Sequence, residues 1–91
     1  ASPGMADAPL KVLFFASLRD DVGVAELTLS APVPENLAQL WPRLQAQLGP
    51  LAVEALQTEN VRIAVNQDLT LRPLRFCSGD EIAFMPPVTG G

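Results

Sequence analysis

The residues whose types suggest chemistry are the last six, Pro86-Pro87-Val88-Thr89-Gly90-Gly91. The two prolines fix their φ angles and favour an extended path, and the β-branched Val88 and Thr89 also favour extended backbone. Gly90 and Gly91 have no Cβ, so they can enter a channel that is too narrow for any other residue. Fully extended, the six residues reach roughly 20 Å. The segment is therefore suited to carry the carboxylate of Gly91 into the active site of another protein.

A carboxylate is a poor electrophile, so chemistry at Gly91 requires activation, for instance adenylation by ATP. A narrow glycine end would let the activating enzyme enclose the acyl carbon and exclude water. The competing interpretation is an idle, flexible terminus, because termini are often mobile. The proline pair directly after a predicted strand favours the functional interpretation.

Other candidates for catalysis are scarce. The chain has no histidine, which excludes Ser-His-Asp and Cys-His arrangements and removes the commonest metal ligand. Cys77 is the single cysteine, so no internal disulfide can form, and we interpret it as a spectator. Asp80-Glu81 is typical of a turn that starts a strand. We therefore predict no metal site, and an independent enzyme is the least favoured class.

Composition predicts one folded domain over residues 5–91, with 48% hydrophobic and 18% charged residues among 91. The net charge is −4 and the six basic residues are scattered, which disfavours nucleic-acid binding. No stretch approaches the roughly 20 apolar residues that cross a bilayer, and no signal peptide is recognisable. We expect a cytoplasmic protein without a membrane partner. Met5 resembles a natural initiator, and we interpret residues 1–4 as a remnant of cloning.

The first half of the chain predicts two strands and one main helix. Residues 10–16 are apolar on both faces and predict a central strand. Residues 17–23 are a connector with a possible helical turn. Apolar and polar residues alternate over 24–30, which predicts a strand with one solvent-facing side that completes a hairpin. An apolar stripe at helical spacing follows. Its members are Leu37, Leu40, Trp41, Leu44 and Leu48.

Residues that favour the start or the end of a helix define the expected limits of this one. Glu35 is expected in its first turn, and Gly49-Pro50 ends it. Pro42 lies inside the stripe and predicts a kink or a helix in two pieces. Residues 51–57 predict a further short helix.

The second half predicts a strand over 61–66, a turn over 66–68 and a short strand over 69–71. A turn at 77–80 then leads into a last strand at 81–85. The order of elements is that of an α+β fold with a mixed sheet. Its first and last strands can be parallel, central neighbours, and the main helix packs across one face.

Three segments carry a family resemblance: "KVLFFASLRD" (11–20), "IAVNQ" (63–67) and "SGDEIAFMPPVTGG" (78–91). In this order and spacing, the chain from Leu10 onwards resembles the small, sulfur-carrier subunits of molybdopterin synthase. The Gly-Gly end alone is shared across ubiquitin-like proteins, whereas the longer terminal motif is specific. The resemblance implies the β-grasp (ubiquitin-like) fold.

The resemblance also implies a mechanism. A ubiquitin-activating-like adenylyltransferase would use ATP to adenylate Gly91, at the end of the Gly90-Gly91 motif, and the carboxylate would become a thiocarboxylate. The tail would enter the large synthase subunit and give sulfur to cyclic pyranopterin monophosphate, forming the molybdopterin dithiolene. The family implies two small and two large subunits, with the catalytic side chains on the large one. No stably bound cofactor is expected.

The residues that the resemblance assigns to partner binding include part of the tail and residues expected near it. They are Phe15, Arg19, Phe84, Met85, Pro86, Pro87, Val88 and Thr89. Adjacent positions on a strand face opposite ways, so one of Phe14 and Phe15 is expected in the core and the other in an exposed patch with Met85 or Phe84; by analogy Phe15 is the better candidate. Met85 stands where many relatives have phenylalanine, and Arg19 suits a partner's carboxylate or plain solvent.

Three other functions remain open from the sequence. One is a sulfur carrier for another pathway, such as thiamine, cysteine or tRNA thiolation. Another is a ubiquitin-like modifier that forms isopeptide bonds with lysines. The third is an interaction domain with an idle terminus.

Overall fold

The computed structural model describes residues 8–58, 61–69 and 74–86. Across these ranges the fold is α+β, with four strands and three helices. In chain order these are β1 (Leu10–Phe14), α1 (Ser17–Val22), β2 (Glu26–Leu29), α2 (Leu37–Leu48), α3 (Pro50–Leu56), β3 (Arg62–Val65) and β4 (Glu81–Met85).

The strands form one mixed sheet in the order β2-β1-β4-β3. β1 and β2 are antiparallel, β3 and β4 are antiparallel, and the two central strands β1 and β4 are parallel. The parallel register sets Phe14 beside Phe84. Parallel neighbours need a long crossover, which the helices and β3 supply. The predicted central pairing of the first and last strands is confirmed.

The core lies between one face of this sheet and the three helices. Val12 and Phe14 of β1 and Ile82 and Phe84 of β4 point into it, as the two-residue period of a strand requires. The helices contribute buried leucines and a valine to the same cluster. These are Leu18, Leu40, Leu44, Val53 and Leu56.

The start of α2 is fixed by side chains. The Oδ1 atom of Asn36, the N-cap, accepts a hydrogen bond from the Gln39 N–H at 2.9 Å, and the Oε1 atom of Gln39 accepts one from the Glu35 N–H at 2.9 Å. Glu35 therefore precedes the helix, and the expectation that it lies in the first turn is wrong. Gly49 (φ 93°) ends α2 as predicted, and its N–H donates to the Gln45 carbonyl at 2.9 Å.

Pro42 lies inside α2 without dividing it, so of the two expected outcomes, a kink or a helix in two pieces, the second is wrong. The proline faces solvent, while Leu40 and Leu44 on either side of it are fully buried. Packing of these neighbours holds the helix together across a position where the backbone loses one hydrogen bond.

Several element limits differ from the sequence expectations. β1 ends at Phe14 because Ala16 takes a positive φ of 52° and α1 begins at Ser17. Leu69 lies outside any strand, and most of the expected strand over 69–71 falls outside the described residues. The turns after β3 and before β4 and the short helix α3 are confirmed. Within the described ranges, no helix has the length and apolar character that a bilayer crossing would need.

Candidate functional site

The parallel pairing of β1 and β4 brings their carboxyl ends to one edge of the sheet. The Phe15 N–H donates a hydrogen bond to the Phe84 carbonyl at 3.1 Å, and the Phe14 N–H donates to the Ala25 carbonyl at 2.8 Å. Phe15 therefore sits at the place where β4 delivers Met85 and Pro86. We call Met85 and Pro86 the tail exit.

Phe14 and Phe15 lie on opposite sides of the backbone. Phe14 is buried and stacks on Phe84, with ring centroids 5.7 Å apart, whereas 45% of Phe15 is exposed. The expectation that one phenylalanine enters the core and the other the surface is confirmed, and Phe15 is the exposed one. Next to it, Met85 and Pro86 are half-buried. An exposed aromatic ring beside a thioether and a proline is an apolar surface of the kind that partners cover.

Phe84 is a core residue, and the expectation that it joins an exposed patch is wrong. Its side chain has no exposed surface, and it also packs against Trp41 with ring centroids 5.8 Å apart. The physical reason is register: Phe84 pairs with Phe14, and parallel partners point to the same face. Phe84 can only act on a partner indirectly, by fixing the backbone that carries Met85.

Arg19 lies on α1, one turn after Phe15, and its side chain is exposed. Within the described residues its guanidinium has no hydrogen-bonded or ionic partner, so the prediction that it meets a partner's carboxylate stays open. The residues predicted for the tail beyond Pro86 lie outside the described residues. They are Pro87, Val88, Thr89, Gly90 and Gly91.

The far end of the sheet is organised by a different set of residues. Asp80 accepts hydrogen bonds from the Cys77 N–H at 2.8 Å and from the Asn66 side-chain amide at 3.1 Å, and Asn66 Oδ1 accepts the Glu81 N–H at 3.0 Å. These bonds join two turns. Asp80 and Glu81 therefore belong to a turn that starts a strand, as the sequence indicates. An open groove of about 920 Å³ lies beside these turns, lined by residues 31–33, 35 and 75–78, away from the tail exit.

The described residues contain no cluster of three or more histidine, cysteine or carboxylate side chains placed to hold a metal ion. Cys77 is an exposed free thiol near the groove, with no catalytic partner assigned to it. The candidate site that the described residues build is thus the apolar surface of Phe15, Met85 and Pro86 at the end of β4.

Sequence reasoning missed one set of residues around this surface. The face of the sheet opposite the core, here called the outer face, carries Glu26, Arg62, Ala64 and Ala83 in addition to Met85. Strict alternation in β2 and β3 was the available signal for Glu26 and Arg62. Their position relative to the tail exit required the strand order and register, which the pattern of single strands does not contain.

The sequence profile of the ThiS family matches residues 12–91, which is most of the chain. The chain belongs to the ThiS family. Among curated relatives, this ThiS-family chain is 40% identical over 82 residues to the "Molybdopterin synthase sulfur carrier subunit" of Escherichia coli (strain K12), covering 90% of the chain and 99% of the relative. The family inferred from the sequence is therefore confirmed.

Solved structures confirm the ubiquitin-like β-grasp fold of this ThiS-family chain. The small archaeal modifier protein 1 of Methanosarcina acetivorans matches with a TM-score of 0.70 at 27% identity, over 93% of this chain and 98% of that one. A chain in the complex of subunits 1 and 2 of the molybdopterin-converting factor from Helicobacter pylori 26695 shares the fold, with a TM-score of 0.62 at 23% identity, over 91% and 99% of the two chains.

Proposed function

We propose that this protein is the sulfur-carrier subunit of a molybdopterin synthase. The observation that carries the proposal is the 40% identity to the Escherichia coli subunit along nearly its whole length. The geometry agrees with it, because the chain leaves the centre of the sheet at Pro86, next to the exposed Phe15. The sheet thus fixes the point from which the segment that ends in Gly90-Gly91 departs.

The reacting group is the carboxylate of Gly91. One of its oxygens attacks the α-phosphorus of ATP in the active site of an adenylyltransferase, and pyrophosphate leaves. The resulting acyl-adenylate has a good leaving group, so a sulfur nucleophile displaces AMP and the carboxylate becomes a thiocarboxylate. The absence of a side chain at the last two positions lets the activating enzyme enclose the acyl carbon and exclude water.

The second step takes place in a large subunit, which we expect to bind the outer face and the tail exit. The thiocarboxylate sulfur attacks a side-chain carbon of cyclic pyranopterin monophosphate and displaces an oxygen leaving group, which gives an acyl thioester. Water then cleaves the bond between the acyl carbon and the sulfur, so the sulfur stays on the product and the carboxylate of Gly91 is restored. A dithiolene contains two sulfurs, so two carriers are used for each product. That stoichiometry fits an assembly of two small and two large subunits. The acids and bases of the reaction belong to the partner, since the carrier has no histidine.

Intact mass spectrometry tests this function directly. The chain is incubated with ATP, the activating enzyme and a sulfide source, and the expected product has one oxygen at Gly91 replaced by sulfur. The control is a variant with one extra residue after Gly91, which we expect to stay unmodified. No charging of the unaltered chain, under conditions that charge a known carrier, would reject the proposal.

A protein modifier is the second candidate, favoured by the similarity to small archaeal modifier protein 1. It would use the same activated Gly91 with a lysine amine as acceptor. Denaturing gels of cell extract distinguish the two functions. Covalent ladders that require Gly91 indicate a modifier, whereas a thiocarboxylate without ladders indicates a sulfur carrier.

A further inference from the structure

The outer face has an apolar floor between the two ends of the sheet. Ala64 of β3 and Ala83 of β4 are register partners, and only 2% and 8% of their surfaces are exposed. Leu13 of β1 lies beside Ala83 and is half-buried. None of the three belongs to the core cluster under the helices. These apolar residues lie next to the tail exit, because Ala83 is followed on the same face by Met85.

Two charges of opposite sign stand on opposite sides of this apolar floor. Glu26 of the edge strand β2 is the register partner of Leu13, and Arg62 of the other edge strand β3 is the register partner of Met85. Three inter-strand spacings separate β2 from β3, which is about 14 Å. Both side chains are exposed. The face therefore has an acidic edge and a basic edge, and the basic edge borders the tail exit.

Neither charge has a partner within the described residues. Among residues 8–58, 61–69 and 74–86, no hydrogen bond or ion pair joins the Glu26 carboxylate or the Arg62 guanidinium to another side chain. The other two charges of the outer face, Lys11 and Glu81, are register partners of opposite sign, so together they add no net charge to this face. An uncompensated acid and base on either side of an apolar floor form a directional pattern for electrostatic recognition.

We propose that Glu26 and Arg62 set the orientation in which the large synthase subunit docks on the outer face. The partner then presents a carboxylate opposite Arg62 and a cation opposite Glu26. This inference rests on the proposed function, and it names the chemistry of the partner's surface. A partner rotated by half a turn on the face would meet two like charges and would direct the tail away from its own active site.

We expect these two charges to change the rate of association with the large subunit more than the final affinity. Exposed charges contribute little to a static contact, but complementary charges steer the encounter and suppress wrong orientations. Arg62 is the stronger of the two determinants, because it adjoins Met85 and is covered first when the tail enters the partner. Arginine is also the basic residue that is enriched at interfaces, beside aromatic and methionine side chains.

Charge reversals with matched controls test the inference. Arg62→Glu and Glu26→Arg are compared with Arg75→Glu and Glu54→Arg, which change the net charge equally at exposed positions off the outer face. Association and dissociation rates with the cognate large subunit are measured at low and high salt. We expect each outer-face reversal to slow association about tenfold at low salt and much less at high salt, because exposed charges are screened. The controls stay within about twofold of the unaltered chain.

The outcomes separate this inference from the proposed function. Outer-face reversals that associate as fast as the controls overturn the inference, while sulfur loading of Gly91 and binding by the unaltered chain still uphold the function. Failure of the unaltered chain to bind any large subunit overturns both. Arg62→Gln removes the charge without creating repulsion, and we expect a smaller slowing than for Arg62→Glu. Circular dichroism melting curves verify that each variant is folded.

Discussion

Phe15 and Phe84 adjoin each other through a backbone hydrogen bond, yet their side chains have different tasks. The Phe84 ring lies between the rings of Phe14 and Trp41, and it anchors β4 to the helices. The Phe15 ring is nearly half exposed and borders the tail exit. At this scale, the ring that packs in the core and the ring that we propose for partner binding belong to separate residues at the same end of the sheet.

Replacing each phenylalanine by alanine should separate these tasks. Phe84→Ala leaves a cavity in the core, so we expect the free energy of unfolding to fall by about 3–5 kcal/mol. Phe15→Ala removes a partly exposed ring, so its cost should stay below about 1 kcal/mol. It should nevertheless weaken binding to the large subunit about tenfold, as expected for a central aromatic contact. Guanidinium titration measures the free energy of unfolding of both variants, and calorimetry measures their affinity for the large subunit. Equal losses of stability would contradict this division.

The sequence predicted part of this arrangement. Because neighbouring strand positions face opposite ways, Phe14 and Phe15 had to divide between core and surface. Which of them is buried depends on the face of the sheet that the helices cover. The sequence of the strand alone does not show which face this is. Phe84 was misassigned because its facing follows from its parallel register with Phe14, a contact between the two ends of the chain.

The helix α2 contains its own weak point. Pro42 lacks an N–H and leaves the Ala38 carbonyl without its usual helical donor. The amphipathic stripe of α2 compensates, since Leu40 and Leu44 are fully buried and Trp41 packs on Phe84. Most helical stability in proteins comes from such tertiary packing, so the helix persists through an unfavourable residue.

Pro42→Ala should therefore stabilise the protein. Restoring one helical hydrogen bond and removing a poor helix former is expected to raise the free energy of unfolding by about 1–3 kcal/mol. The matched control is Pro50→Ala at the first position of α3, where proline is tolerated, so its effect should be within about 0.5 kcal/mol. Thermal and denaturant unfolding curves provide the comparison. A destabilised Pro42→Ala variant would show that Pro42 has a structural role beyond the helix backbone.

Element types were predictable, and element limits were less so. The leucine stripe, the alternation in β2 and the Gly49-Pro50 stop each reflect a local rule, and each was confirmed. The local sequence pattern did not predict where β1 ends. The hydrophobic pattern continues to Ala16, whereas the backbone turns at that residue into α1. The charge pattern of the outer face was also inaccessible, since it arises from two edge strands that are distant in sequence.

On the scale of the whole molecule, we expect the fold to be separable from the end that is proposed to react. The core cluster of the described residues extends no further than Phe84, and the last strand ends at Met85. The sheet and helices form a base, and the segment beyond Pro86 is what the proposed partners handle. Such a division would let both proposed partners act on the same carboxyl group without access to the core.

Truncation after Pro86 tests the separation. We expect the shortened chain to melt within about 4 °C of the intact one, the shift that corresponds to less than about 1 kcal/mol in a domain of this size. It should lose sulfur loading completely. Truncation after Ala83 removes Phe84 as well and should prevent cooperative folding. A large loss of melting temperature on removing only the residues beyond Pro86 would mean that they stabilise the domain.

The place of β4 in the middle of the sheet has a consequence for synthesis. A ribosome makes β1 early and β4 after every other described element, yet β1 lacks its inner neighbour until β4 arrives. A prematurely terminated chain therefore keeps an open slot between β1 and β3 and cannot close its core. The topology thus makes closure of the core wait for the last described strand, and a chain that ends before β4 is expected to stay unfolded.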